Sequence, residues 1–509
     1  MTGRSESALG HIVIAGGGTA GWMTAAALSR LSQNGKTRIT LIESEDIGTV
    51  GVGEATIPPI VNFNKLLGIS EADFIRETAG TFKLGIEFAN WNKVGDRYMH
   101  PFGSFGRDIE SIKFYQFWLK LHALGRAPDI TDYCLSAVAA YAGKYSAPSN
   151  NPGSVMSSLA YAYHFDSSLY AKLLRSRAEQ QGVTRVEGKI TDTHLNPETG
   201  HITALLMDDG QRIEGDFFVD CTGFRALLIG GALGVGFEDY SQWLPCDRAV
   251  TVAGKRDAAP APYTRATALD AGWQWRIPLQ RRTGNGHVFC SSYISDEAAK
   301  QALLDNLEGE ADGDIRTIRF KTGRREKAYE KNCVAIGLSA GFMEPLESTS
   351  IHLIQAGISK LIALLPDMDF NPAEAKTYNS LTKMQFEQIR DFIILHYKAT
   401  EREDTPFWAY VKNMNIPDSL RDKMDLYKSK GRLLRFQDEL FGEDNWAAVL
   451  LGQGVFPRTW DPLVDTLDIN AVARHADGMR NIIAKTADNM TAHNDYIQTL
   501  ISNPDMQRS

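Results

Sequence analysis

Long apolar runs, basic tracts and closely spaced cysteines are all missing from this chain, and each absence removes a class of function. No apolar run approaches the length needed to cross a bilayer. Ile12-Val13-Ile14-Ala15 ends in glycines and reads as a strand. Met1 to Leu9 is polar and lacks the basic and apolar regions of a secretory leader. No cluster of Lys and Arg appears, and a net charge of −8 argues against a nucleic-acid surface. The five cysteines (Cys134, Cys221, Cys246, Cys290, Cys333) are scattered and odd in number. They have neither the spacing of a disulfide framework nor that of a CxxC metal site. Reduced thiols in a cytoplasmic protein, with no metal, are therefore expected.

At 509 residues, 43% hydrophobic and 23% charged, the chain has globular composition and is too long for one small core. Its first chemistry-bearing pattern lies at the start. A buried strand, His11 to Ala15, runs into Gly16-x-Gly18-x-x-Gly21 and an alanine-rich helix, Trp22 to Leu31, with a second strand at Arg38 to Glu43. This is the order a dinucleotide fingerprint requires. Gly16, Gly18 and Gly21 let the backbone approach a pyrophosphate, and Thr19 and Ala20 open a helix whose N-terminus attracts it. Glu43 is placed for a ribose hydroxyl. The loop alone says only FAD or NAD.

Val50-Gly51-Val52-Gly53-Glu54-Ala55-Thr56-Ile57-Pro58-Pro59 reads as a loop. Glu71 to Trp91 reads as a helix, apolar on nearly every side, with Lys83 inside it. Composition leaves two readings of Lys83 open: a snorkelling surface lysine paired with Glu87, or a buried lysine kept for a task. Met99 to Gly125 is rich in aromatics and fits a core or an aromatic pocket. Asp166 or Ser167 caps a helix that runs to Gly182. Val183 to Ile190, Ile202 to Asp208 and Arg212 to Val219 read as strands, the last leading into Asp220-Cys221-Thr222-Gly223. In Gly272-Trp273-Gln274-Trp275-Arg276-Ile277-Pro278 both tryptophans face one side of a strand. Val334 to Phe342 is a strand and small-residue turn before Met343-Glu344-Pro345-Leu346-Glu347-Ser348-Thr349-Ser350, after which a helical pattern begins. From about Asp367 the chain turns mainly helical, with Asn371-Pro372 as a start and Phe386 to Tyr397, Ser419 to Leu433 and Val472 to Thr499 as its clearest pieces.

Together, the glycine loop, Thr81-Phe82-Lys83-Leu84-Gly85, the WxWxIP segment and Pro345-Leu346-Glu347-Ser348 resemble the flavin-dependent halogenases often labelled tryptophan halogenases. The resemblance implies an α/β fold: a Rossmann-like FAD-binding domain of the flavin monooxygenase type (8–366) with additional β-sheet, and a mainly α-helical C-terminal region (367–509). It implies that FADH2, oxygen and chloride or bromide yield hypohalous acid, which Lys83 holds while Glu347 orients it and takes the proton lost by an electron-rich arene. Val50, Gly53, Glu54, Ala55, Gly337 and Leu346 would contact the flavin with the glycine loop, and Thr349 and Ser350 would bind the halide. His100, Phe102 and Trp446 become pocket candidates. No second nucleotide domain is visible, so a separate flavin reductase is expected to supply FADH2. A homodimer is admitted, with neither membrane nor nucleic acid as partner.

Tryptophan-specific members commonly have glycine where this chain has Ser350, then an aromatic where it has His352. They also hold the amino-acid backbone with a tyrosine pair and a glutamate, whereas Gly442-Glu443-Asp444-Asn445-Trp446 has no tyrosine. An indole without the amino-acid group, or a larger indolic molecule, fits at least as well as free tryptophan. The rival reading is an FAD-dependent aromatic hydroxylase, which shares the nucleotide loop but has no use for Lys83 and Glu347.

Overall fold

The computed structural model describes residues 8–33, 35–46, 53–256 and 258–503. A six-stranded sheet has the order Tyr329–Glu330, Cys333–Ala335, Phe217–Asp220, His11–Ala15, Arg38–Glu43, Thr184–Glu187. Its strands pair in parallel except at the antiparallel Tyr329–Glu330 edge. His11–Ala15 is buried at every position, as an apolar run in a sheet covered on both faces must be. Helix Thr19–Ser32 packs back on the sheet through Trp22, Met23, Ala25, Ala26 and Leu28. The glycine loop therefore sits at the carboxyl end of the sheet's central strands, where open α/β sheets bind nucleotides.

A second, seven-stranded sheet runs Ala311–Arg319, Arg248–Lys255, Arg282–Phe289, Gly272–Pro278, Thr264–Leu269, Gly85–Ala89, Arg97–Pro101. A small antiparallel sheet, Gly53–Ala55, Ala162–Asp166, Thr81–Lys83, packs against the second, with Gly53 close to Ile277 and Gly284. Trp273 and Trp275 are both buried, their rings 6.1 Å apart. Among the described residues no helix is long and apolar enough to cross a membrane.

Val50 to Pro59, read as a loop, contains the strand Gly53–Ala55, and Val183 to Ile190 splits into the strand Thr184–Glu187 and the start of Ile190–Leu195 in another sheet. Four further expectations need correction. Glu71 to Trp91 is one short helix, Glu71–Glu77, followed by the strands Thr81–Lys83 and Gly85–Ala89. Ala79 in the left-handed region (φ 51°) ends the helix, and the segment from Thr81 to Ala89 is buried throughout. A segment apolar on all sides shows no period by which helix and strand can be told apart. Secondly, Tyr161 to Asp166, which the sequence reads as opening the helix to Gly182, contains the strand Ala162–Asp166; its last residue does cap helix Ser167–Gln180, Asp166 accepting from Ser168 N and Leu169 N. Thirdly, Arg212 to Val219 divides into Arg212–Glu214 and Phe217–Asp220, which belong to different sheets. Gly215 marks the division, pressed so close to Val13 and Phe218 that a side chain would collide. Lastly, Val472 to Thr499 is two helices, Ile469–Asp488 and His493–Ser502, parted by Thr491–Ala492, which pairs with Lys144–Tyr145. The start at Asn371-Pro372 stands: Asn371 caps the helix Pro372–Lys398 through Ala373 N.

Candidate active site

The nucleotide cleft is shaped by what its glycines exclude. Gly16 has φ 106°, and a side chain there would strike the Cys221 carbonyl; one on Gly21 would strike the Gly16 carbonyl. Over Gly18 the space is open, and no side chain caps helix Thr19–Ser32, which begins with Thr19 and Ala20. Its N-terminal N–H groups thus face a cleft of about 720 Å³ lined by Gly16, Gly18, Glu43, Lys189, Thr222 and Arg225, among others. Glu43 sits at the rim, accepting from Trp22 Nε1 at 3.1 Å and pairing with Arg185 Nε at 2.5 Å. Asp220 fastens the Asp-Cys-Thr-Gly turn, taking N–H donors from Thr222, Leu228 and Ile229. Gly337 (φ 79°) closes against Ala20, leaving no room for a side chain. A dinucleotide such as FAD fits this donor set and this open space over Gly18. Val50 lies outside the described residues; Gly53 and Ala55 are buried and Glu54 half-buried on the strand paired with Ala162–Asp166.

Lys83 is fully buried at the end of its strand. Its Nζ donates to the Thr56 carbonyl at 3.0 Å and to Ser348 Oγ at 2.7 Å, and lies 5.0 Å from the Phe102 ring centre. Desolvation pulls the ammonium down to about 7, and the negative charge of Glu347 opposes that fall. Glu87 is not its partner; it is paired with Arg265.

Glu347 ends the short 3₁₀ turn Pro345–Glu347, with Leu346 buried beneath it. Ser348 follows at φ 58°, a left-handed conformation that a non-glycine residue keeps only where the surroundings enforce it. That twist sends Ser348 Oγ to Lys83 while Glu347 points the other way, toward two histidines. His100 Nδ1 is 2.9 Å from Oε2 and His396 Nε2 is 2.7 Å from Oε1. Burial would raise this carboxyl, but His100 and His396, both directed at its oxygens, hold it at about 2. Lys83 and Glu347 are joined through the Ser348 turn. Thr349, the N-cap of helix Ser350–Ala363, is buried with its Oγ1 unpartnered, and Ser350 is half-buried in the helix's first turn.

His100 is buried against the carboxylate, and Phe102 is half-buried beside Lys83. Trp446 is buried on helix Glu443–Gly452, against Phe392 and under the Lys423 ammonium, 4.3 Å from its ring. Sequence reasoning did not single out His396, Asn445, Ser348 and Thr56 for what they do here, nor Glu344, which binds Trp273 Nε1 at 2.8 Å and Tyr397 OH at 2.6 Å. The usable signal was a histidine within the apolar Phe392-Ile393-Ile394-Leu395 stretch, since a buried imidazole needs partners.

A family profile described as tryptophan halogenase matches residues 11–469. The chain is 34% identical over 515 residues to the 7-chloro-L-tryptophan 6-halogenase of Kutzneria sp. (strain 744), covering 96% of this chain and 98% of that one. It superposes on a flavin-dependent halogenase from Xanthomonas campestris with TM-score 0.94 and 47% identity, covering 97% and 98% of the two chains. A flavin-dependent halogenase from Brevundimonas sp. BAL3 gives TM-score 0.93 and 45% identity, with 97% and 99% covered.

Proposed function

The chain belongs to the tryptophan halogenase family, and from that premise we propose that it is an FADH2-dependent halogenase acting on an indole without the amino-acid group or on a larger indolic molecule. When bound, FADH2 would supply two electrons that, with two more from the halide, reduce oxygen, so that one oxygen atom leaves in hypohalous acid and the other in water. Gly16, Gly18, Gly21 and the helix N-terminus hold its pyrophosphate, Glu43 its ribose, and Gly337, Leu346 and the Gly53-Glu54-Ala55 strand border its ring. Thr349 and Ser350, at a helix N-terminus beside an unpartnered hydroxyl, hold the halide. Lys83 receives the hypohalous acid and polarises its halogen–oxygen bond by donating to the oxygen. Glu347 stabilises the positive charge that develops on the arene and takes its proton. Phe102 and the aromatic wall around Phe392, Phe441 and Trp446 give the arene its surroundings.

The observation that carries this reading is the buried Lys83 pinned between Thr56 and Ser348. Removing an ammonium from water has a penalty of several kcal/mol, and this one stands beside a strained turn that carries a second buried charge. A hydroxylase of similar fold has no use for that pair, and the relatives do not favour it. The substrate class rests on residues 436–454, which contain no tyrosine to clamp an amino-acid backbone. A separate flavin reductase supplies FADH2.

The test is mass spectrometry of indole and of tryptophan incubated with the enzyme, FAD, a flavin reductase, NADH, oxygen and bromide. A bromine isotope doublet on indole alone is expected, lost in Lys83→Ala with FAD binding kept. A doublet on tryptophan instead would overturn the substrate class. A gain of oxygen without bromine would overturn the halogenase.

A further inference from the structure

The two histidines on Glu347 are not equivalent, and their outer hydrogen bonds show why. Asn445 Oδ1 accepts from Gly442 N at 2.8 Å, so its amide NH2 is the end that faces His100 Nε2 at 2.9 Å. An NH2 group only donates, so His100 Nε2 carries a lone pair and His100 is neutral. Its single proton is on Nδ1 and is directed at Glu347.

His396 is wired the other way. Its Nδ1 lies 2.8 Å from the Phe392 carbonyl, an acceptor only, so Nδ1 carries a proton. Its Nε2 approaches Glu347 Oε1 at 2.7 Å, off the straight N–H line. A buried carboxylate comes that close to an imidazole nitrogen in a dry interior as the partner of a cation, so the pair holds a proton whichever of the two carries it. The groups packed around them supply no other proton. Phe88 and Trp91 face the imidazole as bare rings, Gln453 binds the His396 carbonyl, the Tyr98 phenol is held far above its ordinary range by burial and the charge of Glu347 and so keeps its proton, and Lys83 is turned to Ser348.

We propose that His396 and Glu347 hold one proton in common and work as a single acid–base unit, while His100, fixed by Asn445, only orients the carboxylate. His396 is thus a positioning residue that acts through Glu347, and the inference rests on the halogenase reading above. The reaction HO–X + Ar–H → Ar–X + H2O needs such a unit. As the O–X bond breaks and the C–X bond forms, the departing oxygen takes the shared proton and becomes water. The C–H bond then gives its proton to Glu347, its electron pair restores the ring, and the pair ends as it began.

The experiment compares His396→Gln with His100→Gln in single turnovers with bromide and either ordinary or perdeuterated indole, FAD affinity being measured alongside. In wild-type protein the C–H proton leaves quickly and the isotope effect is near unity. In His396→Gln proton removal becomes limiting, and a primary isotope effect of about twofold or more is expected at unchanged FAD affinity. His100→Gln is slowed without one. Equal isotope effects in His396→Gln and wild type, or the effect in His100→Gln, would overturn the proposal. A second measurement needs no change at position 396. Spectra of protein labelled with ¹⁵N-histidine should show one buried imidazole protonated on both nitrogens at neutral pH, reverting in Glu347→Gln; its absence would overturn the shared proton. If wild-type protein brominates neither indole nor tryptophan, the substrate is the larger indolic molecule, and the spectra alone decide the proton on His396.

Discussion

Replacing Glu344 by glutamine isolates the energetics of the turn without touching Lys83 or Glu347. Both donors of Glu344 go to one oxygen, Trp273 Nε1–H at 2.8 Å and Tyr397 O–H at 2.6 Å, and Oε1 is buried with no partner. Burial raises this carboxyl from its ordinary 4.5 to about 7, in spite of those two bonds. Between these values the folded protein keeps a proton that the unfolded chain has released. Stability from this group is therefore fully present below pH 4.5 and is lost as pH rises through about 7. At about 1.4 kcal/mol per unit, the loss above pH 7 is about 3 kcal/mol. Glutamine keeps the accepting oxygen and never ionises. Glu344→Gln should therefore match wild type near pH 5 and be more stable near pH 8. With an unfolding entropy of about 2 cal/mol/K per residue, 3 kcal/mol is about 3 °C in Tm for a chain of this length. Thermal unfolding of both proteins at the two pH values is the assay. A difference of the same size at both, or a less stable variant at pH 8, would show that Glu344 is ionised comfortably in the fold and refute the reasoning.

Three further outcomes follow from the same geometry. Gly16→Ala should unfold at lower temperature, because φ 106° and the Cys221 carbonyl leave no place for a side chain; Gly18→Ala should keep its Tm but bind FAD more weakly, by calorimetry, because it fills the open space. The rate of arene halogenation should decline as pH rises through about 7, where Lys83 loses its proton, and a pH–rate profile flat to pH 9 would remove the ammonium from the mechanism. Ser350→Gly should raise the share of brominated product when chloride and bromide compete, read by mass spectrometry, because losing the side chain widens the halide turn for the larger anion. An unchanged ratio would place Ser350 outside the halide site.

The nucleotide loop was legible in the sequence because its chemistry is local. Gly16, Gly18 and Gly21 are set by spacing, and strand, turn and helix follow within one stretch. The turn at Glu347 was legible for a similar reason, with Pro345 before it and a helical pattern after Ser350. Lys83 was visible as a lysine among apolar neighbours, but its element was misread, since Thr81 to Ala89 is buried on both faces and has no period. What holds Glu347 was not legible. His100, Asn445 and His396 come from three separate elements, and no local pattern joins them: His396 is hinted at only as a histidine at the end of an apolar helical run. Arg185, a partner of Glu43, is likewise joined to it only by the sheet.

The same contacts bear on whether the helical region is a unit of its own. His396 and Tyr397 are consecutive in helix Pro372–Lys398, and they grip Glu347 and Glu344, the two carboxyls of one turn. Trp408, just beyond, donates to the Leu269 carbonyl of the seven-stranded sheet, and Thr400 donates to the Trp91 carbonyl. Near the end of the chain, His493 Nε2 accepts from Phe82 N, next to Lys83, at 3.0 Å. Parting the helices from the rest would leave two buried carboxyls and a buried backbone N–H without these partners, at about 1–3 kcal/mol or more for each group. The cooperative unit is therefore expected to run across the change in sequence pattern near residue 366. Unfolding followed by release of bound FAD, which reports the glycine loop, should coincide with unfolding followed by fluorescence of a probe placed on helix Ile469–Asp488. Two transitions well separated in temperature would refute this, and would make the clamp on Glu347 an addition to a site able to stand without it.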